Sequence, residues 1–110
     1  IELTERLNKG DLSEISEMLR PIVRMGLKNG GVQCVEVDAY AHCRYHIIMQ
    51  QPLPISMKEC LALTDSVEVF TYDYDPHSTL PDLVCFKCCA SRDIIAFPRY
   101  DDWQSRYRRP

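Results

Sequence analysis

The sequence predicts an α+β fold in which N-terminal helices pack on a mainly antiparallel sheet of about four strands. An apolar stripe at helical spacing comes first, a long alternation of apolar and polar residues follows it, and β-branched and aromatic segments come later. The chain has 110 residues, the size of a single domain. We expect a helical part over 1–31, a strand-helix-strand-hairpin part over 32–97, and an aromatic and basic tail over 98–110.

The N-terminal part carries two helical signals. Leu3 and Leu7 share one face of a short opening turn. Asp11 then stands in an N-cap position with Glu14 three residues later, which predicts a capping box at the start of a second helix. The apolar stripe of this helix comprises Leu12, Ile15, Leu19, Ile22 and Val23. Pro21 lies inside the stripe and lacks an amide hydrogen, so we expect it to kink or divide the helix.

Residues 35–49 alternate regularly, with apolar side chains at odd positions and mostly polar side chains at even ones. This period predicts one long strand with one face on the core and the other facing water or a partner. The rival interpretation is a helix over 39–51, because Ala, Arg, Met and Gln suit helices; the period favours the strand. A long strand at a sheet edge could pair with its own copy, so a homodimer is compatible with this pattern.

Shorter elements fill the second half. Ser56 with Glu59 repeats the capping-box signature and predicts a short helix. The β-branched and aromatic residues of 67–74 predict a strand. Segments 83–90 and 94–97 predict a hairpin.

Six cysteines and three histidines suggest a metal site. A C-x-x-C pair and a second pair at ligand spacing predict one structural zinc ion held from two segments. The predicted ligands are Cys43, His46, Cys85 and Cys88, with Cys89 or His77 as the alternatives. Geometry weighs against this set, because residues three apart on an extended strand point to opposite faces. Reduced core thiols and disulfides are the other fates that the cysteines could have.

The composition predicts a small intracellular, non-catalytic protein-interaction domain with a regulatory or adaptor role. The net charge of −3 argues against a general nucleic-acid binder. Nucleotide-binding loops and metalloprotease motifs are missing, and no apolar run is long enough to predict a membrane partner. Aromatic and arginine side chains are typical of interface hot spots. The predicted partner-binding residues are Tyr40, His42, Arg44, Tyr100, Trp103, Arg106 and Tyr107.

Two other functions remain open. The basic, aromatic C-terminal tail could make the chain a nucleic-acid-binding module. A cysteine close to a histidine could instead act as a nucleophile or in thiol redox chemistry. No glycine-rich oxyanion loop surrounds any cysteine, so the sequence favours the interaction domain.

Overall fold

The computed structural model describes residues 2–37, 43–64, 66–72 and 82–100, and these contain three helices and five strands. The helices are α1 (Leu3–Asn8), α2 (Arg20–Leu27) and α3 (Met57–Leu61), and the strands are β1 (Val32–Glu36), β2 (His46–Met49), β3 (Glu68–Tyr72), β4 (Leu83–Cys88) and β5 (Asp93–Pro98). The predicted α+β class is confirmed. None of the described helices is long and apolar enough to cross a bilayer.

The five strands form one sheet in the order β1-β2-β5-β4-β3. Three of the four pairings are antiparallel, and the central pairing of β2 with β5 is parallel. The mainly antiparallel sheet is therefore confirmed, but it has five described strands rather than about four. The predicted β4–β5 hairpin is present, and Arg92 in its turn has a φ of 64°.

The prediction of one long strand over 35–49 is wrong. Residues of β1 and β2 pair antiparallel, with Val35 opposite Ile47 and Glu36 opposite His46, so the chain reverses direction between them. The rival helix over 39–51 is also wrong, because residues 46–49 form β2. The alternation did not reveal the reversal, because odd-numbered residues face the same side of the sheet before and after it. Val35 of β1 and Ile47 and Met49 of β2 all pack in the apolar cluster on the helix side of the sheet.

The helix predicted from Asp11 begins nine residues later, at Arg20. Residues 11–19 form turns instead, and the Asp11 side chain accepts hydrogen bonds from Ser13 rather than capping a helix. Pro21 does not kink the helix. It occupies the first turn of α2, where its missing N–H has no partner within the helix. The apolar stripe is buried even so, because successive turns can bury the same side chains as a helix.

Both faces of the sheet are apolar. The helix-side cluster joins side chains of α1, α2 and the 11–19 turns to those of the sheet, with Phe86 and Phe97 packed edge to face at its centre. The far-side cluster consists of Cys43, Ile48, Leu83, Cys85, Ile94 and Ala96. His46 of β2 and Tyr72 of β3 lie 6.4 Å apart between ring centroids, although two strands separate them in the sheet order. The sheet therefore curves toward its far side.

Candidate functional site

The structure does not bring the four predicted zinc ligands together. Cys43 and Cys85 belong to the far-side cluster, whereas Cys88 belongs to the helix-side cluster. Cys85 and Cys88 therefore lie on opposite faces of β4, as expected of residues three apart on a strand. Among the described residues there is no group of three or more histidine, cysteine or acidic side chains that could hold a metal ion. The alternative ligand His77 lies outside the described residues, and Cys89 is exposed.

All six cysteines are free thiols, and their surroundings differ. Burial raises the pKa of Cys85 to about 12, with the nearby Cys43 adding to the shift. Burial likewise raises the pKa of Cys60 to about 11, assisted by the charge of Glu59. A thiol with so high a pKa is protonated at neutral pH and is a poor nucleophile.

Cys88 differs from Cys60 and Cys85. Burial alone would raise the pKa of Cys88. Hydrogen bonds from the Ser91 backbone and from the Ser16 hydroxyl outweigh burial, with smaller contributions from the Ser91 side chain and the Ala90 backbone, and the pKa is lowered. The Cys88 Sγ lies 3.5 Å from the Ser16 Oγ, and only 2% of the residue is exposed. His46, the described histidine, belongs to the opposite face of the sheet. The described residues therefore contain no cysteine–histidine pair around this thiol.

Most of the predicted partner-binding residues cannot be placed. Tyr40, His42, Trp103, Arg106 and Tyr107 lie outside the described residues. Arg44 forms an ion pair with the buried Asp93, and the Arg99 guanidinium lies 5.9 Å from the ring centroid of Tyr100. Arg44 thus anchors a buried carboxylate, although 47% of its own side chain is exposed.

A groove that the sequence did not predict lies beside α2. It has a volume of about 530 Å³ and is open to solvent on the surface formed by α2 and the segment 54–63. Its lining comprises Pro21, Arg24, Met25, Lys28, Asn29, Pro54, Ile55 and Leu63. Most of these side chains are apolar, and the volume falls within the usual range of ligand sites.

Three contacts hold the two walls of the groove in place. The Asn29 Nδ2 donates a hydrogen bond of 3.3 Å to the Pro52 carbonyl, which joins the end of α2 to the opposite wall. The Cys60 Sγ lies 3.9 Å from the Met25 Sδ, so α3 packs on α2 through sulfur atoms. Ser56 caps α3 by accepting a hydrogen bond of 3.1 Å from the Glu59 amide, which confirms the N-cap half of the second predicted capping box.

Apolar side chains are exposed on α3 and just after it, although only Leu63 among them lines the groove. Met57, Leu61 and Leu63 are 45%, 41% and 49% exposed, and they make up three of the six large apolar side chains that the described residues expose. Single exposed apolar residues are ordinary, but clustered ones mark an interaction surface. Met57 and Leu61 are four residues apart on α3, so they project from the same face of that helix.

The charge of the groove has the opposite sign to the charge of the chain. Arg24 and Lys28 line the groove and are exposed, whereas none of the described residues that line it is acidic. Neither cation forms an ion pair within the described residues. The two are four residues apart, so they stand about 6 Å apart along the axis of α2.

One feature of the groove, its two cations, could have been inferred from the sequence if the start of α2 at Arg20 had been known. On a helix beginning at Arg20, Ile22, Val23 and Gly26 turn inward. Arg24 and Lys28 then fall on the outer side. The opposite wall comes from residues thirty positions later, and its proximity is a property of the tertiary fold.

Comparison with known proteins finds no matching family model, and neither a curated protein nor a solved structure matches the chain.

Proposed function

We propose that this chain is a non-catalytic protein-interaction domain that binds a segment of a partner protein in the groove between α2 and residues 54–63. The supporting observation is an open, mostly apolar groove whose lining includes the half-exposed Leu63, with the exposed Met57 and Leu61 on the adjoining helix α3. Each of these side chains is about half exposed, so covering it completely contributes about 1 kcal/mol. The apolar anchors of the partner segment, buried from full exposure, would have to supply the larger share of the binding free energy.

A peptide-library selection tests this proposal. The folded domain is immobilised, binding peptides are selected from a random library, and their affinities are measured by fluorescence anisotropy. Leu63→Asp places a charge in the apolar wall and is expected to weaken the selected peptides by at least about tenfold. Val37→Asp is the matched control, because Val37 is 77% exposed and does not line the groove. Peptides that bind both variants equally, or no selected peptides at all, would refute the proposal.

The nucleic-acid alternative has less support. Arg44 and Arg99 were among the arginines available for such a surface, and they pair with Asp93 and Asp82 respectively. Arg92 is exposed in the β4–β5 turn, and Trp103, Arg106, Arg108 and Arg109 of the tail lie outside the described residues. A salt-sensitive affinity for single-stranded nucleic acid would favour this alternative over ours.

The zinc site stays a prediction that is separate from the groove. It requires one zinc ion per chain in the native mass of protein purified without chelator, and loss of that ion on Cys85→Ser or Cys88→Ser. A folded, metal-free protein would contradict it. The thiol-enzyme alternative likewise stays open to the labelling experiment described in the Discussion.

A further inference from the structure

We infer that the groove selects an acidic amphipathic helix, with apolar residues on one face and two carboxylates one helical turn apart beside them. This inference deepens the proposed function and rests on it. It concerns the chemistry of the partner segment, which the presence of an apolar groove alone does not specify.

The sign of the partner's charge follows from the lining. In a chain with a net charge of −3, the groove is lined by Arg24 and Lys28, and its described lining includes no acidic side chain. Both cations are exposed, so a bound segment would approach them without first breaking a described ion pair. A carboxylate placed against each cation would gain Coulomb energy, and a basic segment would be repelled.

The conformation of the partner follows from which elements form the walls. Every described lining residue comes from α2 or its flanking residues or from 54–63, and none belongs to a described strand. An extended peptide that added itself to a sheet would need an open strand edge to satisfy its backbone groups, and the groove offers no such edge among the described strands. A helix satisfies its backbone internally and presents side chains alone. Helix-in-groove binding is therefore the mode that fits.

The spacing of the two cations sets the spacing of the carboxylates. Residues four apart on a helix are about 6 Å apart along its axis, and the same holds for Arg24 and Lys28 on α2. A partner helix lying alongside α2 can therefore present acidic residues at positions i and i+4 to both cations. Its apolar residues at neighbouring positions would face Met25, Ile55 and Leu63.

The test uses peptides selected on the full chain and dependent on Leu63. Their acidic residues are replaced by the neutral amides Asn or Gln, and each peptide is measured on the wild type, Arg24→Glu and Lys28→Glu. We expect neutralisation, and each charge reversal, to weaken binding about three- to fivefold, because exposed ion pairs contribute up to about 1 kcal/mol. The reversals should leave the neutralised peptides almost unaffected. Lys9→Glu is the matched control, since Lys9 is exposed and lies outside the groove.

The possible outcomes distinguish failure of this inference from failure of the proposed function. Selected peptides that depend on Leu63 but are neutral or basic, or that bind both reversal variants normally, would overturn the acidic helix and leave the groove function standing. Acidic peptides that remain extended when bound, as measured by circular dichroism, would also overturn it. The absence of any Leu63-dependent peptide would overturn both.

Discussion

Arg44 binds the carboxylate of Asp93 through two hydrogen bonds, Nε to Oδ1 at 3.0 Å and Nη2 to Oδ2 at 2.7 Å. Asp93 is completely buried at the start of β5, and Arg44 lies just before β2. The Nη2 of Arg44 also donates a hydrogen bond of 2.7 Å to the Glu14 carbonyl. A single guanidinium therefore joins the N-terminal turns to the two parallel strands at the centre of the sheet.

Removal of this guanidinium is expected to destabilise the domain strongly. Arg44→Met leaves the Asp93 carboxylate buried without its cation, and we predict a loss of at least about 2 kcal/mol in the free energy of unfolding, measured in urea. Arg99→Met is the control, because its partner Asp82 is 31% exposed and such surface pairs contribute less than about 1 kcal/mol. Equal losses for the two variants would contradict a framework role for Arg44.

Asn8 fastens the end of α1 to the sheet by imitating a neighbouring strand. Its Nδ2 donates to the Val32 carbonyl at 3.0 Å, and its Oδ1 accepts from the Val32 amide at 2.7 Å. Asn8→Asp keeps the acceptor but replaces the donor with a second oxygen facing the carbonyl. We predict a loss of about 1–3 kcal/mol by chemical denaturation, against almost none for the exposed control Glu17→Gln. An Asn8→Asp variant as stable as the wild type would exclude this role.

The Asn8 side chain also limits which side chains fit at position 31, directly before Val32. Gly31 has a φ of 84°, and a Cβ built on it would lie 2.6 Å from the Asn8 Oδ1. Gly31→Ala is therefore strained by its backbone and also crowds the Asn8 side chain. We predict that it destabilises the domain by more than about 1 kcal/mol. Gly10→Ala, at a φ of 93° with open space around its Cβ, separates the backbone strain from the crowding and should cost less.

Asp11 makes the stability of the folded state depend on pH. Hydrogen bonds from the Ser13 hydroxyl and amide, together with Arg6, lower the Asp11 pKa from 3.8 to about 2. Because the folded-state pKa is the lower one, ionised Asp11 favours the folded state above about pH 4, and this contribution is lost as the pH falls toward 2. Ser13→Ala should raise the Asp11 pKa measured by NMR, whereas Ser56→Ala should leave it unchanged. An unaltered pKa in Ser13→Ala would show that the hydroxyl is not its cause.

The thiols should differ in reactivity at neutral pH. Cys89 is exposed, whereas Cys60 and Cys85 are buried with raised pKa values. We predict that iodoacetamide labels Cys89 first, and that Cys60 and Cys85 react only on unfolding, as peptide mass spectrometry would record. Cys89→Ser should abolish the fast labelling. Labelling of Cys88 faster than Cys89 would contradict this order and favour the thiol-enzyme alternative.

Local signals predicted the elements that local interactions determine. The Ser56 cap and the β4–β5 hairpin depend on residues close in sequence, and both are present. The start of α2 was misplaced because the stripe through Leu12 and Ile15 satisfies helical spacing, whereas Asp11 binds Ser13 and the chain forms turns. Alternation over 35–49 could not reveal a reversal that preserves parity.

The candidate site depended on tertiary contacts that no local pattern encodes. Ligand spacing grouped Cys85 with Cys88, but an extended strand turns those side chains to opposite faces. The groove joins α2 to a segment thirty residues later, through contacts such as Met25 with Cys60. Its charge becomes apparent only when the helix start is known, because that start decides which side of α2 presents Arg24 and Lys28.

Amide chemical-shift mapping with a library-selected peptide tests the groove most directly. We predict that the largest changes fall on the lining of the groove, particularly at Arg24, Lys28 and Leu63, and that they disappear in Leu63→Asp and persist in Val37→Asp. Changes centred on the outer strands β1 or β3, or on the far side of the sheet, would contradict the groove as the binding surface.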